Sequence, residues 1–91
     1  MEFEWDAAKS ARNQITRGLS FGDAAIIFDA PTLEILDNRR AYGEVRVKAI
    51  GHIENEIYVV IYTDRQGVRR IISARRANRK ERKQWLLFAK P

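Results

Sequence analysis

Seven consecutive residues near the middle of the chain, Ile57-Tyr58-Val59-Val60-Ile61-Tyr62-Thr63, constrain the fold more than any other segment. All are β-branched or aromatic, and as an extended strand they are apolar on both faces. A strand of that kind belongs at the centre of a sheet, as its most buried member. The chain has 91 residues, enough for a single domain over 1–91. A hydrophobic content of 45% is ordinary for a folded protein and argues against disorder.

The flanking segments supply partners for that strand. Asp64-Arg65-Gln66-Gly67 reads as a hairpin connection, and Val68–Ala74 as the last strand. Upstream, Glu54-Asn55-Glu56 is a turn. Glu44–Gly51 alternates, with Val45, Val47 and Ala49 on one side and Glu44, Arg46, Lys48 and Ile50 on the other. Thr32–Asp37 is a short strand and Asn38–Gly43 a polar loop. The strands joined by short turns form an antiparallel meander.

Helical spacing marks the two ends of the chain. Residues 5–16 place Trp5, Ala8, Ala11 and Ile15 on one stripe, with Asp6 as N-cap and Gly18 as a stop. Ser20-Phe21-Gly22-Asp23 resembles a capping box for a helix over 21–28, with Phe21, Ala24, Ala25 and Phe28 inward and Pro31 preventing its extension. Asn78-Arg79-Lys80-Glu81 is a second capping box, opening a helix over 79–89 with Trp85 and Phe88 on its apolar face. The expected fold is α+β, in the order α-α-β-β-β-β-α, with an antiparallel sheet and the helices packed on one face.

Composition narrows the chemistry. The chain has no cysteine and one histidine, His52. Disulfides, thiolate nucleophiles, thiolate metal sites and paired-imidazole catalysis are excluded. There is no glycine-rich phosphate loop and no Ser-His-Asp arrangement, so neither a cofactor nor a metal is expected. No apolar segment is long enough to span a membrane, and the acidic start Met1-Glu2-Phe3-Glu4-Trp5-Asp6 is unlike a signal peptide. A cytoplasmic protein without a membrane partner is the expectation.

The charge has an address. Residues 1–64 hold 7 Lys+Arg against 11 Asp+Glu, a net of −4, and residues 65–91 hold 10 against 1, a net of +9. A basic segment that favours Arg over Lys points to a polyanion partner, because Arg makes planar bidentate contacts to phosphate. Arg46, Arg65, Arg69, Arg70, Arg75 and Arg76 fall on or beside the sheet, with Glu44 and Lys48 among them. Such a surface can bind RNA phosphates. It can also cleave RNA without a metal, by holding a 2′-hydroxyl in line with the scissile phosphate and offsetting the charge that develops there. Glu44 is either a weak general base or half of an ion pair with a neighbouring Arg, and the pattern favours the pair. Tyr58 and Tyr62 share one face of the central strand, where aromatics stack on bases in some RNA-binding sheets but more often fill a core.

Several runs resemble one family along nearly the whole chain. They are Phe3-Glu4-Trp5-Asp6 with Ala8-Lys9 and Asn13; Gly18-Leu19-Ser20-Phe21 with Ala24-Ala25 and Phe28-Asp29; Gly43-Glu44 with Arg46; Ile50-Gly51; Val59-Val60 with Tyr62-Thr63; and Arg70-Ile71-Ile72-Ser73-Ala74-Arg75-Arg76-Ala77 followed by Glu81-Arg82. In these the sequence resembles the BrnT toxins, the ribonuclease halves of type II toxin–antitoxin pairs. The resemblance implies a RelE-like fold, metal-independent RNA cleavage that arrests translation, and neutralisation by a BrnA-like antitoxin. That antitoxin carries a DNA-binding domain, so operator DNA is reached only through the complex, which is compatible with a higher-order toxin–antitoxin assembly.

Carried onto this chain, the resemblance implies Glu44, Arg46, Arg65 and Arg75 as the catalytic set. Arg17, Lys48, Arg70, Arg76 and Arg79 are the candidate RNA contacts. The chain departs from the family at one place: many members have Lys-His-Gly before the second helix, and here Thr16-Arg17-Gly18 stands there. Arg17 keeps a positive charge but cannot exchange a proton near neutral pH. The alternative is therefore a weakly active or inactive binding module, acting as antitoxin partner and co-repressor.

Overall fold

The computed structural model describes residues 1–90. It is a mixed α+β fold with a five-stranded sheet: β1 (Glu2–Trp5), β2 (Leu33–Leu36), β3 (Val47–Ile53), β4 (Glu56–Arg65) and β5 (Val68–Arg76). The helices are α1 (Ala7–Arg17), α2 (Phe21–Ala24), which runs on into a 3-10 turn at Ala25–Asp29, and α3 (Arg79–Phe88). The strand order is β1-β5-β4-β3-β2. Strands β2 to β5 form the antiparallel meander, and β1 adds to the edge of β5 in parallel. As the two-sided apolar run requires, β4 is central.

The local signals act as their chemistry dictates. Asp6 accepts a hydrogen bond from the Lys9 N–H at 3.0 Å, and Gly18 ends α1 at φ 69°. The β4–β5 hairpin is a two-residue loop, Gln66-Gly67, with both residues at positive φ, the backbone hand that matches strand twist. One irregularity follows it. Ile61 pairs with Ser73 but Tyr62 pairs with Ile71, so Ile72 is the extra residue of a bulge.

Three expectations are corrected. Trp5, expected to open the first helix, instead ends a strand over Glu2–Trp5, so the element order begins with β: Phe3 and Trp5 pack against the core while Glu2 and Glu4 point away. The expected apolar stripe of α1 faces outward, with Ile15 84% exposed. Its inner face is polar. Ser10 accepts a hydrogen bond from the Phe21 N–H at 3.0 Å, and the Asn13 amide donates to the carbonyls of Leu19 (2.7 Å) and Ala74 (3.0 Å). Directed bonds to otherwise unpaired backbone groups, each worth about 1 kcal/mol net, orient the helix instead of apolar burial.

The helices also occupy both faces of the sheet, not one. Leu19, Phe21, Ala24 and Ile27 pack on Ala49, Val60, Tyr62, Ile71 and Ala74, whereas Trp85 of α3 packs with Ile50, Val59, Ile61 and Ala77 on the opposite side. A central strand apolar on both faces demands cover on both.

Candidate functional site

Helix α3 is ten residues long and covers only part of its sheet face. Trp85 seats it over Ile50 and Val59, with its ring 5.7 Å from that of His52. Strand alternation puts Lys48, Ile61, Thr63, Arg65, Arg70, Ser73 and Arg75 on this same face, most of them beyond the helix. A cleft of about 560 Å³ opens there. The cations on its walls are Arg17 from the end of α1, Arg39 from the loop after β2, Lys48 from β3 and Arg75 from β5. Its carboxylates are Asp37 and Glu81, and Ile35 and Ile61 contribute the apolar floor.

Both carboxylates are already gripped. Arg39 reaches Asp37 in a bidentate pair at 2.7 and 2.9 Å. Glu81 takes Arg75 through both oxygens at 2.7 and 2.8 Å and Lys48 at 3.1 Å, and it completes the capping box with the Asn78 N–H at 2.9 Å. Arg75, followed by the Asn78 amide and Lys48, holds the Glu81 carboxyl down to about 2 against the opposing cost of burial. Asp37 is likewise lowered, first by its hydrogen bonds from Arg39. Neither is a useful proton acceptor or donor near neutral pH.

A second cluster lies further along the same face. Glu44 accepts from Arg65 at 2.6 Å and from Arg46 at 3.1 Å, and Arg46 stacks 3.8 Å over the Tyr42 ring. Strand β3 begins at Val47, so Glu44 and Arg46 lie outside it, not on a strand from residue 44. The segment is fixed by two hydrogen bonds, from the Thr63 hydroxyl to the Val45 carbonyl (2.7 Å) and from the Asp37 N–H to the Arg46 carbonyl (2.9 Å). Arg65, then Arg46, lowers the Glu44 carboxyl below its ordinary value.

The sequence-derived set is therefore split. Glu44, Arg46 and Arg65 meet in one cluster, with Arg70 lining the same small hollow. Arg75 belongs to the other, with Lys48 and Glu81. Arg76 points to the opposite sheet face, 3.9 Å from Glu56, and Arg79 is exposed on the first turn of α3. Tyr62 is buried on the α2 face, where burial, then its hydrogen bond to Glu34, pushes its phenol up to about 12. Arg69 lies 3.9 Å over that ring and pairs with Asp64, away from the cleft.

Sequence reasoning missed Asp37, Arg39 and Glu81. Glu81 was legible as a cap, but the alternation that puts Lys48 of β3 and Arg75 of β5 on one face, either side of β4, was the sign that it does more. Among the described residues no group of three His, Cys, Asp or Glu is placed to hold a metal, and no helix is long and apolar enough to cross a membrane.

The fold and cleft define a small α+β protein with a cation-lined cleft beside a half-covered sheet face. The family model of BrnT, the ribonuclease toxin of type II toxin–antitoxin systems, matches residues 5–81. The chain belongs to that family, whose type II character implies an antitoxin partner. A comparison with curated proteins gives no match.

Proposed function

We propose that the protein is an endoribonuclease toxin that cleaves RNA in the α3-face cleft without a metal, arrests translation in the cytoplasm and is neutralised by a BrnA-like, DNA-binding antitoxin. One observation carries the reading: four cations, Arg17, Arg39, Lys48 and Arg75, converge on a cleft whose two carboxylates are already ion-paired. In this reading the fold is RelE-like and the chain is one BrnT-like domain.

The chemistry asked of these residues is modest. The RNA 2′-oxygen attacks the adjacent phosphorus, the bond to the 5′-oxygen breaks, and a cyclic phosphate and a 5′-hydroxyl result. Arg75 and Lys48 offset the charge growing on the phosphate oxygens, and Arg17 and Arg39 hold flanking phosphates. The 2′-hydroxyl proton leaves to water and the 5′-oxygen takes one from water. Glu44 serves as an anchor for Arg46 and Arg65, not as a base, because both arginines stabilise its ionised form. With Arg70, that cluster extends the RNA path along the face and Arg79 makes a peripheral contact, while Arg76, on the opposite sheet face, lies outside the path. Operator DNA is bound only through the antitoxin complex.

Incubation of purified protein with RNA in EDTA tests this. Wild type is expected to cleave, and the Lys48→Met/Arg75→Ala double variant to lose cleavage by about 100-fold or more, the scale of losing a preorganised charge. Equal cleavage by both would overturn the reading. The presence of Arg17 in place of an imidazole favours a second reading, a weakly active antitoxin partner. Tight antitoxin binding by a wild type that cleaves no RNA and permits normal growth would establish that one instead.

A further inference from the structure

Glu81 makes more bonds than a helix cap requires. At the third position of a capping box, one carboxylate oxygen reaching the Asn78 N–H is sufficient. Oε1 does this at 2.9 Å and also takes Arg75 Nη1 at 2.7 Å. Oε2 takes Arg75 Nη2 at 2.8 Å and Lys48 Nζ at 3.1 Å. One side chain thus ties together the start of α3, strand β5 and strand β3.

The exposures are unequal. The Glu81 side chain is 3% exposed, while Arg75 and Lys48 remain 34% and 26% exposed. The carboxylate is hidden and the cations it holds still face the cleft. Arg75 keeps its Nε hydrogen, and Lys48 keeps the rest of its ammonium hydrogens, for a ligand. A buried charge cluster is a poor device for stability alone, since apolar packing of the same volume does as well or better. Its distinctive product is a fixed direction for two cations.

We propose that Glu81 is the positioning residue of the RNA site: it fixes Arg75 and Lys48 relative to one another and to the scissile phosphate, and it lowers their combined charge from +2 to +1. This rests on the ribonuclease reading above. Two opposite consequences follow when Glu81 loses its charge. The released cations swing free and bind RNA more strongly as bare charges. Cleavage slows, because their placement against the phosphate is lost.

Glu81→Gln separates this role from capping, since Gln closes a capping box through its amide oxygen. Measured on folded wild type and variant with a single-stranded RNA, kcat falls by about 100-fold, the cost of misplacing a reacting assembly by an ångström. KM stays level or drops. The slope of log affinity against log salt steepens by about 0.7 for each cation released.

A role in capping alone predicts wild-type kcat, KM and salt slope in Glu81→Gln, because Gln keeps the cap, and that result overturns the proposal. If Glu81→Gln does not fold, Glu81→Asp decides. It keeps the charge on a shorter stem, so kcat falls with the salt slope unchanged, and wild-type kcat overturns the proposal. A wild type that cleaves no RNA removes the ribonuclease reading and this inference with it. A cleaving wild type matched by both variants removes only the assignment of Glu81.

Discussion

The two faces of the sheet are built on opposite terms. The face under α2 and the 3-10 turn is dry: Phe21, Ala24 and Ile27 close over Ala49, Val60 and Ala74, all at most 2% exposed. Arg69 on this face is paired to Asp64 and laid over Tyr62. The α3 face is dry for half its length, under Trp85, and ionic for the rest. One sheet thus carries a stabilising side and, in the proposed function, a working side. The central strand allows this because alternate residues serve different neighbours: Val60 and Tyr62 one way, Val59 and Ile61 the other.

The largest expected effect falls on the dry side. Ile27 is 1% exposed, and Ile27→Ala should cost about 2–5 kcal/mol by leaving a cavity. A chemical denaturation curve measures this, and RNA affinity per folded molecule should not change. A large affinity loss would show that the two faces are not independent.

Acid is expected to act next, and on the other face. Glu81 has a carboxyl lowered from 4.5 to about 2, so it stabilises the folded state above its unfolded value. That contribution, on the order of 3 kcal/mol, is lost as pH falls from about 4.5 towards 2. Thermal midpoints recorded across that range should drop steeply in wild type and less so in Glu81→Gln. Parallel curves would contradict the assignment of the acid limb to this residue.

Gly51 tests the dry side more gently. A Cβ there would stand 2.9 Å from the Ile27 Cβ and 3.0 Å from the Thr32 Cγ2. Gly51→Ala should therefore cost about 1–3 kcal/mol through overpacking, read as a lower denaturation midpoint. The smallest effect belongs to Arg65→Ala on the working side. Its partner Glu44 is on a solvent-accessible loop, so the thermal midpoint should stay near wild type. The salt slope of RNA binding should flatten by about 0.7, one phosphate contact. An unchanged slope would remove Arg65 from the RNA path.

Much of this architecture is legible in the residues. The central strand, the meander, the Gln66-Gly67 turn and all three helix caps follow from patterns a few residues wide. The first strand is not, because Glu2–Trp5 is four residues long and Trp5 sits at helical spacing from Ala8. Its partner β5 lies more than sixty positions away. Helix α1 misleads for a different reason. Hydropathy counts Ile15 as inward and Asn13 as outward, whereas the backbone carbonyls of Leu19 and Ala74 reward Asn13 for turning in. Two-sided cover was implied by Ile57–Thr63 itself, yet the helix stripes alone carried no information about which face each would take.

The site was legible in kind and not in grouping. Of the four cations lining the cleft only Arg75 lies in the arginine-rich stretch after residue 64, and Arg17, Arg39 and Lys48 come from the part that is acidic overall, although the alternation of Lys48 did set it outward from the α2 core. What no local pattern contained was the assignment of partners. Arg75 is bound to Glu81, six residues on and across a turn, and Glu81 to Lys48, thirty-three residues back. Glu44 goes to Arg65, twenty-one residues on. Those pairings are set by strand register and by the angle at which α3 leaves β5, both tertiary quantities.

Backbone amide shifts on titrating a 2′-O-methylated RNA oligonucleotide, which binds but has no free 2′-hydroxyl to attack, decide where the molecule works. The division into a stabilising and a working face predicts shifts at Lys48, Ser73, Arg75 and Asn78, smaller ones at Arg65 and Arg70, and none at Ala24, Ile27 or Ala49. Shifts concentrated on the α2 face, with Lys48 and Arg75 unmoved, would contradict it.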